Sequence, residues 1–381
     1  MKYPAVELGE LVDVVMGQAP PGDACNKDGN GTIFVKAGEF QEHHPVVREW
    51  TTKPLKLSKS GDVLVCVVGA TAGKVNQSAF DCAIGRSVAA VRSNPQKLDS
   101  RFLYHFLKTK VMQLRDRSQG AAQGVITKEM IFSLSVALLP LPEQRRIAAI
   151  LDQADALRAK RREALAQLDS LTQSIFIDMF GDPVTNPKGW PAVNLGALIQ
   201  SASDGPHVSP TYAEMGIPFL SARHVRPGEI SWHDMKYLTQ SEAEIQWKKC
   251  KPTRGDILYT KGGTTGFAAI VNTDIEFTVW VHIALLKPNK AVVNSKWLEA
   301  MLNSPYCYRQ SQDLTHGVAN RDLGLKRMVK ILMYHPPLKL QCEFAHRMEH
   351  LANQRLLQQR SLAKLGALFA SLQHRAFRGE L

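Results

Sequence analysis

The hydrophobic pattern of the chain predicts two long helices. Residues 143–180 contain neither Gly nor Pro, and their apolar side chains recur at heptad spacing. At 1.5 Å per residue, such a helix would be about 57 Å long. Pro142 precedes this segment, and Gly181 and Pro183 follow it as stop signals. A second segment near the end of the chain has a similar pattern, so we expect a second long helix there.

The apolar positions of the two helices fit the seam of a two-stranded coiled coil. Polar residues interrupt the pattern, and neither helix would be stable alone in water. The alternative is that each helix packs only on its own globular domain. The length of both segments, well beyond that of an average helix, favours the coiled coil. The predicted helix–helix contacts are Ile147, Ile150, Ala154, Leu157, Leu168, Leu171, Ile175, Phe344, Leu351, Leu365, Leu368 and Leu372.

The chain repeats itself once. LAQLDSLTQSIFIDMF (165–180) aligns with LAKLGALFASLQHRAF (362–377) at six identical positions. Further pairs follow in the same order: 6–15 with 193–202, 34–40 with 219–225, 60–75 with 254–271, 118–126 with 315–323, and Gln144 with Gln341. In the third of these pairs, the second copy is one residue shorter between its Gly-Asp dipeptide and its glycine-rich loop. A shared order over several segments indicates a duplication.

Each half of the duplication combines a globular module with one long helix. Short β-branched runs at 63–68, 257–260 and 278–283 are bounded by glycines and turns, which predicts strands. Helical patterns occur at 100–116 and 295–312. We therefore predict an α+β fold with an α/β domain at 1–139, a helix at 140–180, a second α/β domain at 181–336 and a helix at 337–381.

The composition is that of a folded, basic protein. Of 381 residues, 44% are hydrophobic and 22% are charged, which excludes a mostly disordered chain. The formal net charge is +12, with 24 basic and 20 acidic residues up to position 190 and 23 and 15 beyond it. An excess shared by both halves points first to nucleic acid as a partner. No run approaches the ~20 apolar residues of a membrane span, and the N-terminus lacks a signal-peptide core, so we expect a cytoplasmic protein.

Motifs for chemistry are absent or incomplete. Gly69–Lys74 follows an apolar strand, but a P-loop needs one more residue between its glycines and a Ser or Thr after the lysine. Its repeat copy, Gly262–Phe267, lacks the lysine altogether. Asn303–Tyr306 differs from the adenine methyltransferase motif at its second residue, and the cysteines show no metal-ligand spacing. We expect no catalytic residue, no metal site and no cofactor in this chain.

Two segments that flank the first long helix carry a family resemblance. Leu139–Asp152 reads LPLPEQRRIAAILD, and Phe180–Pro191 reads FGDPVTNPKGWP. Together with GDVLV…GATAGKV and the G-x-x-Q/N turn before the last strand, they make the chain similar to the DNA-specificity subunits of Type I restriction–modification systems. The resemblance covers essentially the whole chain. The second helix departs from it at its start, where HPPLKLQCEF replaces the PLPEQRRI pattern.

The resemblance implies an architecture and a set of partners. Members of this family hold two target-recognition domains apart with an antiparallel pair of long helices, with pseudo-twofold symmetry inside one chain. Each domain reads one half of a split, asymmetric site in double-stranded DNA, and the helices set the spacer between the halves. Two methyltransferase subunits flip out the target adenine and use S-adenosylmethionine, and a restriction subunit with motor and nuclease activity uses ATP with Mg²⁺.

We expect DNA contacts from polar and basic side chains on the glycine-marked loops. Arg or Lys can read guanine, Gln or Asn can read adenine, and any of these groups can meet a phosphate. For each residue, a solvated surface position or a phosphate contact stays an alternative to base reading. The candidates are Lys36, Thr71, Lys74, Arg86, Gln123, Arg223, His224, Lys261, Thr264, Thr265, His282, Asn320 and Arg321.

Two other functions stay open from the sequence. A structural coiled-coil adaptor would explain the helices, with the basic charge incidental. A self-sufficient methyltransferase or nucleoside triphosphatase would bind S-adenosylmethionine or ATP by itself, and the incomplete motifs argue against it.

Overall fold

The computed structural model divides the chain into two compact units. Unit 1 comprises Met1–Glu163 together with Gln359–Leu381, and unit 2 comprises Ala164–Gln358. Each of the two long helices therefore contributes one part to each unit. The structure describes residues 3–119, 124–318 and 320–381.

Unit 1 is a mixed α/β unit with two main sheets. Its strands are β1 Ala5–Glu7, β2 Val12–Met16, β3 Cys25–Asn26, β4 Thr32–Val35, β5 Glu49–Thr51, β6 Leu57–Ser58, β7 Val63–Cys66, β8 Val75–Gln77, β9 Cys82–Ile84, β10 Val88–Ser93 and β11 Ser135–Ala137. Its helices are α1 Ser100–Thr109, α2 Val111–Gln119, α3 Lys128–Phe132 and the first part of α4 Leu141–Phe180. One antiparallel sheet has the order β2-β10-β7-β8, and a second has the order β3-β5-β4-β9-β6 with β4 and β9 parallel. Strands β1 and β11 pair separately.

Unit 2 repeats this arrangement. Its strands are β12 Ala192–Asn194, β13 Ile199–Asp204, β14 Tyr212–Ala213, β15 Ile217–Leu220, β16 Val225–Arg226, β17 Glu229–Ile230, β18 Lys236–Leu238, β19 Ile257–Thr260, β20 Ala268–Ile270, β21 Thr278–Val279, β22 Ile283–Pro288 and β23 Leu332–Tyr334. Its helices are α5 Leu195–Leu198, α6 Gln240–Trp247, α7 Ser295–Leu302, α8 Pro305–Asp313, α9 Leu325–Met328 and the first part of α10 Leu338–Ala376. The sheet β13-β22-β19-β20 has the topology of the first sheet of unit 1. The sheet β14-β18-β15-β21 again contains one parallel pair, β15 and β21, while β12 pairs with β23 and β16 with β17.

The strand registers confirm the duplication residue by residue. In unit 1, Ala89 lies opposite Met16 on one side and Val65 on the other; in unit 2, Ala284 lies between Asp204 and Tyr259 in the same way. The segments 34–40 and 219–225 both leave a parallel strand and enter a single 3₁₀ turn. The fold class predicted from the sequence is therefore confirmed.

The structure corrects three local predictions. The run 278–283 is split between β21 and β22, which belong to different sheets. The helical pattern 295–312 is broken at Ser304, whose hydroxyl accepts a bond from Cys307 N–H and so starts a new helix with Pro305 in its first turn. The pattern 100–116 is likewise divided into α1 and α2.

The deletion in the second repeat falls inside the glycine loop, not before it. The loop of unit 1 is closed by Cys66 N–H donating to Lys74 O at 2.8 Å and Gly73 N–H donating to Cys66 O at 2.7 Å. In unit 2, Thr260 makes the equivalent bonds with Phe267 at 2.9 Å and Gly266 at 3.0 Å. Strands β7 and β19 therefore align without a gap, and the loop itself is shorter.

The long helices pack both on the globular parts and on each other. In unit 1, Ile147 and Leu151 of α4 share a core with Phe369 and Ala376 of α10 and with α1. In unit 2, the rings of Phe176 and Phe180 in α4 lie 5.7 and 5.4 Å from the ring of Phe344 in α10. The early part of each helix thus packs with the late part of the other, as an antiparallel pair requires.

The predicted helix seam is only partly buried. Ile147 and Phe344 are fully buried, while Ala154, Ile175, Leu351 and Leu372 pack against the cores as partly exposed residues. Ile150, Leu168 and Leu365 are half-buried.

Three seam predictions differ from the structure: Leu157, Leu171 and Leu368 are 52%, 41% and 52% exposed. The reason is visible in α4, where the buried positions Ile147, Ala148, Leu151 and Asp155 follow a helical period of 3.6 and face the globular part of unit 1 as well as α10. Positions chosen with a strict period of 3.5 therefore move progressively away from these buried positions along the helix.

A buried glutamine joins each long helix to its globular part. Gln144 Oε1 accepts the backbone N–H of Asp99 at 2.8 Å, and its Nε2 donates to Lys97 O at 2.9 Å and Leu139 O at 2.7 Å. Asp99 is the N-cap of α1, and its carboxylate accepts bonds from the first turn of that helix. The start of α4 is thereby fixed to the start of α1.

Unit 2 uses the same device. Gln341 Oε1 accepts the backbone N–H of Asn294 at 2.9 Å, and its Nε2 donates to Pro336 O at 2.8 Å. Asn294 is the N-cap of α7, which is the counterpart of α1. Both glutamines are completely buried. The repeated Gln seen in the sequence is therefore a structural junction.

Unit 1 adds a charged contact between α1 and α4. Asp152 accepts bonds from Arg101 at 2.7 Å and from His105 Nε2 at 2.7 Å, and Asp155 pairs with Lys108 at 3.2 Å. Burial alone would raise the pKa of Asp152, but the bonds from His105 and Arg101 lower it to about 2. The carboxylate is therefore charged at neutral pH.

We predict that Gln144→Ala destabilises the protein by about 2–4 kcal/mol, because three backbone groups at this junction would lose their partner and the side chain that holds them is fully buried. Urea unfolding of the full chain measures the loss. Gln173→Ala is the matched control, since Gln173 is exposed on the same helix and its removal should cost less than about 0.5 kcal/mol. Equal effects of the two substitutions would contradict the assignment of Gln144 as a junction.

We also predict that Gly266→Ala is more damaging than Gly263→Ala. Both glycines have positive φ, +94° and +69°, so either substitution strains the backbone. A Cβ at Gly266 would overlap Ser311 Oγ and lie 3.0 Å from Tyr308 Cδ2, whereas Gly263 has no atom within 4 Å of that position. The difference in unfolding free energy should be roughly 2 kcal/mol. Equal melting temperatures for the two variants would refute it.

Candidate DNA interface

The glycine loop of unit 2 is joined to a second turn of the chain. This turn, 315–323, is closed by His316 and Asp322, which exchange backbone bonds of 2.9 and 2.8 Å. Gly263 N–H donates to Arg321 O at 3.1 Å, and Leu323 N–H donates to Lys261 O at 2.7 Å. The structure therefore brings together two segments that are far apart in the sequence and that both contain predicted DNA contacts.

The third part of this surface lies at the ends of the parallel strands. Arg223 and His224 follow β15, and Trp280 and His282 follow β21. The carbonyl oxygen of His282 accepts the backbone N–H of Lys261 at 2.8 Å, which ties this edge to the glycine loop. Parallel strands that end side by side place their following loops next to each other, so the residues after them form one surface with the glycine loop.

Five of the predicted contacts in unit 2 are exposed on this surface: Arg223, Thr264, His282, Asn320 and Arg321. Arg321 donates to the side-chain oxygen of Gln312, and Arg223 donates to Asp234 O, so both guanidinium groups are held in place by the protein. Each guanidinium group has further N–H groups beyond the one used in this bond.

Three other predicted contacts are buried, which differs from the prediction. The ring of His224 caps its own 3₁₀ turn, with Nδ1 accepting Ser221 N–H at 2.8 Å; burial, helped by Arg223, lowers the pKa of His224 and keeps it neutral. Thr265 is 2% exposed and accepts bonds from Gln312 and Thr315. Lys261 is enclosed by carboxylates. The side chains of all three residues are therefore buried and stabilise the loops through contacts within the protein.

Lys261 and Asp204 are the buried members of a network of charges that extends to the half-exposed side chains of Asp322 and Lys249. The Nζ of Lys261 lies 3.3 Å from Asp204 Oδ2 and 3.3 Å from Asp322 Oδ1. Lys249 pairs with the other oxygen of Asp204 at 2.6 Å. Burial alone would raise the pKa of Asp204, but Lys249 and Lys261 hold it below the usual value. The carboxylate of Asp204 is therefore charged at neutral pH.

The glycine loop of unit 1 is built in the same way with different side chains. Thr71 and Lys74 are exposed, and Lys74 Nζ donates to Phe40 O at 2.8 Å. They border an open groove of about 600 Å³ that also contains Lys108 and Arg115. This groove combines backbone, hydroxyl and cationic groups, which is the chemistry that contacts phosphates.

Lys36 and Arg86 lie at the ends of the parallel strands β4 and β9. Gly85 N–H donates to Val35 O at 2.9 Å and thereby joins the two strand ends. Arg86 is exposed, whereas Lys36 pairs with Glu49 at 2.6 Å. The remaining candidate of this unit, Gln123, lies outside the described residues.

Several residues of these surfaces were not predicted from the sequence. Lys108 lies on α1 and Arg115 lies on α2. The hydrophobic pattern of these helices does not indicate that both side chains reach the groove beside the glycine loop. Val318 is fully exposed on the turn 315–323, next to the predicted contacts. An apolar side chain without protein contacts on such a turn is a candidate for a thymine methyl group.

Two general findings concern the described part of the chain. No cluster of three or more His, Cys, Asp or Glu side chains there has a geometry suited to a metal ion. None of its helices combines the length and the apolar character that a membrane span requires.

Comparisons with known proteins relate the chain to one class of DNA-specificity proteins. Residues 2–167 match the family model described as Type I restriction modification DNA specificity domain. The putative type I restriction enzyme MjaX specificity subunit of Methanocaldococcus jannaschii is 34% identical over 176 residues, which are 45% of this chain and 41% of that protein. The match thus spans less than half the length of this relative.

Longer matches have lower identity. The type I restriction enzyme EcoKI specificity subunit of Escherichia coli is 24% identical over 358 residues, covering 84% of this chain and 75% of that protein. The crystal structure of the type I restriction–modification S subunit from M. genitalium aligns with a TM-score of 0.61 at 15% identity, over 98% of this chain and 96% of that one. At this identity, the structural match supports the fold alone. Residues 2–167 thus match a DNA specificity domain of type I restriction–modification systems, and the chain is similar over most of its length to specificity subunits of type I restriction enzymes.

Proposed function

We propose that this chain reads a split, asymmetric DNA sequence, one half with each unit. The observation that carries the proposal is the combination of a shared backbone with different loop side chains. Both units close a glycine loop with equivalent bonds, yet Lys74 of unit 1 corresponds to Phe267 of unit 2, and Arg321 of unit 2 corresponds to Gly124 of unit 1. Two readers with the same frame and different contact groups suit a site whose halves differ in sequence.

The exposed groups suit both kinds of DNA contact. Arg321 and Arg223 can bind guanine in the major groove, and Asn320 can bind adenine through its amide. Lys74 and Arg86 of unit 1 can contact phosphates or guanine in the same way. The positive net charge of +12 adds an attraction that is independent of sequence.

The partners follow from the same proposal. Two copies of a methyltransferase subunit bind this chain in the cytoplasm, supply S-adenosylmethionine and modify an adenine in each half of the site. A restriction subunit with motor and nuclease activity joins the complex and uses ATP with Mg²⁺. The chain itself supplies position and sequence choice, while the chemistry takes place on its partners.

The test is a map of methylated adenines across a genome. Cells that express this chain with the methyltransferase subunit of its system should modify one split motif, and cells with the methyltransferase alone should not. Exchanging residues 1–139 for those of a relative should change one half of the motif only. A pure structural adaptor would leave both halves unchanged after the exchange. Binding of S-adenosylmethionine or ATP by the isolated chain would contradict the proposal and favour an enzyme.

A second prediction concerns the spacer between the half-sites. We propose that α4 and α10 together set its length. Inserting one heptad into each helix adds about 10 Å, which corresponds to roughly three base pairs of DNA. The methylated motif should keep both halves and gain that spacer. A heptad inserted into one helix only is the control, because it shifts the pairing of the helices and should reduce methylation instead. An unchanged spacer after the double insertion would show that another element sets the distance.

A further inference from the structure

Lys261 holds three segments of unit 2 together. Besides the two carboxylates of Asp204 and Asp322, its Nζ donates to Val281 O at 3.3 Å. Its side chain is only 7% exposed, and that of Asp204 is 8% exposed. One carbonyl oxygen and two carboxylate oxygens therefore surround the ammonium group of Lys261, which lies inside the protein and not on its exposed surface.

Asp322 links Lys261 to the turn 315–323. Its Oδ2 accepts Gly324 N–H at 3.0 Å and Arg327 Nη2 at 3.1 Å, while its Oδ1 faces Lys261. The end of β13, the start of the glycine loop and the turn are thus fixed to one another by charged bonds. The exposed residues Asn320 and Arg321 directly precede Asp322 on this turn.

Unit 1 builds the same backbone without these charges. The counterpart of Lys261 is Val67, because Val67 accepts Ile126 N–H at 2.9 Å as Lys261 accepts Leu323 N–H at 2.7 Å. The counterpart of Asp204 is Met16, by the register opposite Ala89. The isolated bridge Val68–Val125 corresponds to Gly262–Asp322, so Val125 takes the place of Asp322. The charged trio Asp204, Lys261 and Asp322 of unit 2 thus corresponds to the apolar trio Met16, Val67 and Val125 of unit 1.

The two units differ in side chains at these three positions, although their backbone bonds are equivalent. Buried ion pairs lose hydration and are often no more stabilising than apolar side chains of similar size. The fold tolerates an apolar trio, as Val67, Met16 and Val125 demonstrate. What the charges add is a pair of contacts at 3.3 Å that join Lys261 to Asp204 and to Asp322, which the apolar trio lacks.

We propose that Lys261 is a positioning residue for DNA reading by unit 2, which fixes the turn 315–323 against the glycine loop and so determines which bases Asn320 and Arg321 accept. This inference rests on the proposed function and adds to it the source of sequence discrimination in one half-site. The charges act through the loops and do not touch DNA.

The test transplants the trio of unit 1 into unit 2. The full chain with Asp204→Met, Lys261→Val and Asp322→Val is expressed with its methyltransferase subunit, and methylated adenines are mapped across the genome. We expect the melting temperature to stay within about 5 °C of the original value. Discrimination against single mismatches in the half assigned to unit 2 should fall roughly tenfold. The half assigned to unit 1 should keep its discrimination, which a general loss of stability would not allow.

A milder variant and a control complete the experiment. Asp322→Asn keeps an acceptor for Gly324 N–H but removes the charge opposite Lys261, so it should shift discrimination in the same direction. Asp274→Asn breaks the exposed pair of Asp274 with Arg254, also in unit 2, and should change nothing.

Each outcome distinguishes the inference from the proposed function. If the unchanged chain directs no split methylation, the proposed function fails, and the inference fails with it. If the unchanged chain does so and either folded variant retains full discrimination in the unit 2 half, the inference alone is overturned. If neither variant folds, the charges maintain the fold itself, and the inference is likewise overturned.

Discussion

The fold depends on how each long helix is fixed to a globular part, and in both units one buried amide fixes the start of the helix. Gln144 and Gln341 each accept the backbone N–H of an N-cap residue with their oxygen and donate to carbonyls of the preceding segment with their nitrogen. An amide can satisfy a donor and acceptors at once, which neither a charged nor an apolar side chain could do in a closed site. The direction of each long helix relative to its own sheet follows from these bonds.

This junction also explains why the loops with the candidate DNA contacts can differ between the two units. The sheets, the parallel strand pair and the glutamine junction are common to both units, so the frame is independent of what the loops contain. The loops are closed by backbone bonds, such as those of Cys66 and Thr260, which do not depend on side chains. Side chains on the loops are therefore free to vary while the backbone around them stays the same.

The sequence predicted the large features because they depend on patterns that extend over many residues. The absence of Gly and Pro marked α4, and the spaced identities marked the duplication. It could not predict that Lys261 is buried, because the two carboxylates that enclose it lie 57 positions before and 61 positions after it. It also placed Leu157 and Leu368 in a seam, since a heptad pattern does not reveal that the globular part shares the same face of the helix.

The division of the chain into units has a consequence for the order of folding. Unit 2 is continuous, from Ala164 to Gln358, whereas unit 1 is completed by Gln359–Leu381. Phe369 and Ala376, which complete its core, leave the ribosome after all of unit 2. During synthesis unit 2 can therefore complete its folding before unit 1, although most of unit 1 is synthesised earlier. Until Gln359–Leu381 has been synthesised, the apolar face of α4 around Ile147 and Leu151 stays partly exposed, because Phe369 and Ala376 complete that core.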